Sequence, residues 1–134
     1  MPAPTPRFAL YRSPHSASYH HLVLSAGERV LMHWIFAGND HVPLHLQTQS
    51  LVVETMEQVP SDSLALDEGM VCLPAPQALA DVEAVSAALR QGRLCLEYYG
   101  LLLRGPYSLV RLRPEGQSWL LNKAAHLVPS AAAQ

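Results

Sequence analysis

Charge, cysteine and long apolar runs are all scarce in this chain. Only 15% of its 134 residues are charged, well under the usual quarter or so. The two cysteines, Cys72 and Cys95, form neither a disulfide framework nor a metal-ligand spacing, so a reducing, cytoplasmic setting is expected. No apolar run approaches about 18 residues, which excludes a transmembrane helix and leaves the membrane out of the expected partners. The opening Met-Pro-Ala-Pro-Thr-Pro-Arg has no apolar segment of the kind a signal peptide carries. A glycine-rich phosphate loop is also missing. Nor is there an overall basic excess: the net charge is −2, whereas nucleic-acid-binding domains gain most of their affinity from neutralising phosphates.

What is present can fill one core. The chain is 49% hydrophobic, which fits a single folded domain over residues 7–126. A Pro-rich lead at 1–6 and an Ala/Ser tail at 127–134 carry no core pattern. The charge is unevenly spread. Residues 46–89 hold seven acids and no Lys or Arg, while residues 90–134 hold six basic side chains and two acidic ones. Arg104, Arg111, Arg113 and Lys123 in that last segment are candidate contacts for phosphate or nucleic acid.

The segment from Gly92 to Lys123 is the most ordered in pattern. Leu94, Leu96 and Tyr98 alternate with Arg93, Cys95, Glu97 and Tyr99, the period of a half-buried strand. Tyr107 and Leu109 alternate with Ser108 and Val110. Arg113-Pro114-Glu115-Gly116-Gln117 has Pro and Gly where a hairpin loop uses them, and Trp119–Asn122 follows as a third strand. Upstream, strands are expected from Phe8 to Arg12, Tyr19 to Leu24, Val30 to Phe36, Ser50 to Met56 and Gly69 to Leu73. Glu57–Glu68 is polar and reads as a loop. Val82, Val85 and Leu89 recur at helical spacing, with Gly92 as the terminating residue, so one helix is expected over about residues 79–90. Seven or eight short strands with one flanking helix predict a mainly β fold, a small barrel, closed or partly open.

The order of Gly92, Leu94, Gly100, Leu103, Gly105, Tyr107, Leu109, Val110, Arg111, Trp119, Leu120, Leu121 and Lys123 resembles the C-terminal half of the 3′-phosphoesterase domain of bacterial ligase D. That resemblance implies a β-barrel and a link to non-homologous DNA end joining, with nucleic acid among the partners. The family's active site uses a motif of the form Phe-x-x-x-x-His-x-x-x-x-x-His-x-Asp-x-Arg-Leu. Its two His and its Asp bind Mn²⁺, and its Arg grips the phosphate. Aligned from Phe8, those positions become Ser13, Tyr19, His21 and Val23. Aligned from Val30-Leu31-Met32-His33-Trp34, the second His becomes His20, the Asp becomes Leu22 and the Arg becomes Leu24. Either register loses the carboxylate and the arginine together. Further on, Val59 stands at a family His, and Leu64 or its neighbour stands at a family Tyr.

Six histidines remain within 31 positions: His15, His20, His21, His33, His41 and His45. Imidazole is a good ligand for several divalent metals. His15 with His20 or His21 is therefore the candidate metal set, with Mn²⁺ or Zn²⁺ as its ion; no cofactor is otherwise implied. His20 and His21 should point to opposite strand faces. No catalytic residue stands out. The expected function is a non-catalytic relative of the phosphoesterase domain, a binding or interaction module with a protein partner or a second copy of itself. A metal-dependent 3′-end phosphoesterase with a rearranged His site, and a self-associating structural domain, are the alternatives.

Overall fold

The computed structural model describes residues 5–13, 19–37, 48–73 and 82–123. The expected lead at 1–4, His15, His41, His45 and the tail lie outside these residues, as do positions 79–81 of the expected helix.

Eight strands and one helix follow in the order β1 (Pro6–Arg12), β2 (Tyr19–Ala26), β3 (Arg29–Ala37), β4 (Gln49–Glu54), β5 (Leu64–Cys72), α1 (Val82–Gln91), β6 (Arg93–Tyr99), β7 (Arg104–Arg111) and β8 (Ser118–Lys123). They form a closed antiparallel barrel in the order β1-β2-β3-β4-β8-β7-β6-β5. Two four-stranded meanders, β1 to β4 and β5 to β8, therefore meet at two seams, β4 against β8 and β1 against β5. Closure gives every strand two neighbours, although β3 meets β4 only at Trp34 and Ile35.

Alternation explains the interior. Phe8, Leu10, Leu22, Leu24, Trp34, Phe36, Val52, Leu94, Leu96, Tyr98, Tyr107, Leu109, Trp119 and Leu121 are all buried on the inward face. Aromatic rings are arranged edge to face through this core: Phe8 on Tyr98 at 5.1 Å, Tyr98 on Tyr107 at 5.4 Å, and Trp34 on Trp119 at 5.6 Å between centroids. Helix α1 adds Val85 and Leu89 to the same core. It stops at Gly92, whose φ of 81° suits glycine and whose amide donates to the Leu89 carbonyl at 3.1 Å.

Two expectations need correction. Leu64–Glu68 is strand, not loop. Its pattern is inverted: Leu64 and Leu66 face solvent while Asp67 is buried. A polar residue in the inward position and leucines in the outward ones conceal the period that marks a half-buried strand. Pro6, assigned to the lead, is buried as the first residue of β1 and lies opposite Ala26. Proline is tolerated at that first position of a strand.

Candidate functional site

The barrel interior offers no room where the family resemblance would put its ligands. Leu22 and Leu24 are both 0% exposed and pack within the core cluster. In the other register, Ser13, Tyr19, His21 and Val23 are not inward-facing core residues. Leu64, at the expected tyrosine, lies on the outside of β5.

Of the expected metal set, His20 and His21 lie side by side on β2, while His15 lies outside the described residues. His20 lies opposite Phe36 across the β2–β3 ladder, and its ring stacks on Phe36 with centroids 5.3 Å apart. His21 faces the other way, as alternation requires, so the two cannot share one ion. His21 instead meets His33: Nδ1 of one ring and Nε2 of the other are 2.9 Å apart, and both residues are buried on the outer side of the sheet. This partnership was not legible from spacing alone. His21 pairs with Ile35 and His33 with Val23, so the two imidazoles are diagonal neighbours, a relation fixed only once the Gly27-Glu28 turn sets the register. Among the described residues, no group of three or more His, Cys, Asp or Glu side chains is arranged to hold a metal ion.

Burial is the main cause that holds both imidazoles below the ordinary 6.5, His21 lowers His33 further, and Glu57 pulls both the other way. One ring donates its N–H and the other accepts, so the accepting imidazole at least is neutral. As pH falls below 6.5, the unfolded chain takes up protons that the folded pair resists, and stability declines until the lower folded value is passed. Urea titrations at successive pH values should show this loss beginning near pH 6.5. A His33→Gln variant should flatten it.

The four basic candidates divide among three places. Arg104 and Lys123 line one cleft of about 370 Å³, which also has Tyr99 and Glu97 in its wall. Arg111 faces inward near Trp119. Its Nη2 donates to Glu54 Oε2 at 3.3 Å, and its guanidinium sits 4.8 Å from the Trp119 ring centroid. Trp119 Nε1 donates to the same Glu54 oxygen. Arg113 is exposed on the β7–β8 turn. These four are therefore not one phosphate-gripping face.

The least expected construction is at Asp67. Its carboxylate accepts from four backbone amides: Glu68 at 2.9 Å, Leu101 at 2.9 Å, Leu102 at 2.9 Å and Leu103 at 2.7 Å. Burial by itself would raise the Asp67 pKa, but these four donors outweigh it and hold the carboxyl below its ordinary 3.8. Gly100 makes the approach feasible, because a Cβ there would overlap the Asp67 carboxylate and the Phe8 ring. The result is a short loop, Gly100–Leu103, fixed to β5 with Leu103 fully buried beneath it and Leu101 85% exposed above it. Leu102 in the loop, Tyr99 just before it and Met70 are also exposed. Tyr99 and Met70 are cross-strand partners. An exposed apolar group of this kind marks a contact surface more often than scattered single residues do.

No protein-family model matches this chain, and no curated protein matches it either. Among the described residues, no helix is long and apolar enough to cross a membrane.

Proposed function

We propose that this chain is a non-catalytic binding module on a barrel like that of the ligase D 3′-phosphoesterase domain, tied by that resemblance to DNA end repair. The observation that carries the reading is the burial of Leu22 and Leu24, 0% exposed at the positions that align with the family's aspartate and arginine. Leucine neither ligates a cation nor neutralises a phosphate, and a close-packed core admits neither. The apolar group around Leu101, presented by the Asp67-anchored loop, suits a protein partner or a second copy of the chain better than a polyanion.

The alternative is a metal-dependent phosphoesterase with a rearranged histidine site. Two nitrogens on one tetrahedral Zn²⁺, each about 2.1 Å from it, lie about 3.4 Å apart, so the 2.9 Å between His21 and His33 is the spacing of a hydrogen bond and the pair would have to open to take an ion. Metal analysis and end-processing assays separate the two. The binding-module reading expects far less than one Mn²⁺ or Zn²⁺ per purified chain and no phosphate release from a 3′-phosphorylated primer with either ion added. Stoichiometric metal together with turnover that His21→Ala abolishes would overturn it. Light scattering across a concentration series then tells self-association from a separate partner.

A further inference from the structure

A second cleft, between helix α1 and the start of β3, carries three arginines and no acid in its wall. We infer that it binds a small phosphorylated ligand. The stagger of the barrel creates it. β4 pairs with β3 only at Trp34 and Ile35, so the first half of β3 lacks a strand neighbour on that side. Helix α1 occupies the opening and leaves a cleft of about 240 Å³. Arg29 enters it from the start of β3, Arg90 from the last turn of α1, and Arg111 from the end of β7. Ser86 adds a hydroxyl, and Met32 and Leu89 provide an apolar wall.

The charge balance points to an anion. Glu54 pairs with Arg111 at 3.3 Å and offsets its charge, so the positive excess of the cleft rests on Arg29 and Arg90. Glu28 and Glu83, on the flanking turn and helix, are exposed and line no part of the cleft. Arg90 also complements the negative end of α1, but Arg29 has no such role. Like charges gathered in one concavity repel, and a bound anion relieves that repulsion. Guanidinium groups supply the planar, multiple donors that a phosphate accepts. The volume is below the roughly 300–1,000 Å³ of drug-sized pockets, so a phosphate monoester with a short organic group fits better than a dinucleotide. The apolar wall would receive that organic part.

The position of Arg111 is set by the backbone. Its amide donates to the Gly92 carbonyl at 2.8 Å, and a Cβ on Gly92 would stand 3.1 Å from that of Arg111. The helix end, the glycine and the arginine thus share one fixed geometry.

The test uses inorganic phosphate, phenyl phosphate and an unphosphorylated single-stranded oligonucleotide as probes in calorimetry, with amide NMR shifts locating the site. Phenyl phosphate should bind more tightly than phosphate, with shifts at Val30, Arg90 and Gly92, and binding should weaken as salt is raised. Arg29→Gln and Arg90→Gln, both at exposed side chains, should each weaken binding about tenfold, the effect of losing one charge-assisted hydrogen bond. Arg113→Gln, outside the cleft, should leave binding unchanged. Absence of any phosphate or phenyl phosphate binding at millimolar concentration overturns the inference. Equal loss in all three variants does the same. If the oligonucleotide binds more tightly than phenyl phosphate and loses affinity in Arg29→Gln, the cleft is a nucleic-acid groove and the small-ligand assignment fails.

Discussion

Leu22→Asp should yield a chain that does not fold. Leu22 is 0% exposed and packs within the cluster that includes Trp34 and Phe8. Truncating such a leucine alone costs about 2–5 kcal/mol, and an unpaired buried carboxylate adds several more. The sum rivals the whole stability of a typical domain, about 5–15 kcal/mol. Far-UV circular dichroism and the urea midpoint should both report the loss. Leu51→Asp gives the contrast, because Leu51 is 56% exposed on β4; its effect should stay within about 0.5 kcal/mol, as for ordinary surface changes. The double variant Leu22→Asp, Leu24→Arg would place in the core the residue types that the phosphoesterase resemblance aligns there. A folded double variant that takes up one Mn²⁺ would show that the interior can open, and the binding-module reading would fall with it.

Asp67→Ala should lower the melting temperature by about 12 °C. The carboxylate satisfies four amides, and hydrogen bonds to a charged group contribute about 1.5–3 kcal/mol each. Water can replace part of this at the exposed Leu101 and Leu102, so a net loss of about 3 kcal/mol is the expectation, and each kilocalorie shifts the midpoint of a domain this size by about 4 °C. Amide exchange at Leu101, Leu102 and Leu103 should quicken first, because their donors lose the anchor. Asp67→Asn, which keeps one acceptor oxygen, should fall between. The wild-type protein should also show an acid step. Since the folded carboxyl lies below 3.8, its contribution is complete at neutral pH and declines as pH falls below that value. Little change in melting temperature and unchanged exchange in Asp67→Ala would mean that the loop is held by Leu103 packing instead.

The residues explain why some of this was legible in the sequence and some was not. β6 and β7 were readable because Leu94, Leu96 and Tyr98, and then Tyr107 and Leu109, put apolar side chains inward with period two. The helix was readable because Val85 and Leu89 share one face and Gly92 ends it. Only the first half of β5 escaped, because Leu64 and Leu66 face out and Asp67 faces in, whereas the strand from Gly69 was expected. The function of Asp67 as an anchor depends on amides 34 to 36 residues away, and no local pattern encodes such a contact. The meeting of His21 with His33, and that of Arg29 with Arg90 and Arg111, depend on register and barrel stagger. Both are properties of the closed sheet and not of any one segment. The resemblance to the phosphoesterase domain pointed to a barrel, and the barrel is there; the positions it named for metal and phosphate proved to be core or outer-surface sites.

The two seams of the barrel also shape how it forms. Each meander is made of neighbours in the chain, but β1 must find β5 and β4 must find β8, partners separated by roughly half the chain. Closing loops of that length costs entropy before the contacts repay it, so folding should be slow relative to helical domains of this size. A nascent chain that has emerged only through β4 carries two unpaired edges at once. One of them, β1, is matched only when β5 arrives, and the other stays open until β8 is released. The β4 edge is therefore exposed to misassembly for as long as β5 to β8 are being made.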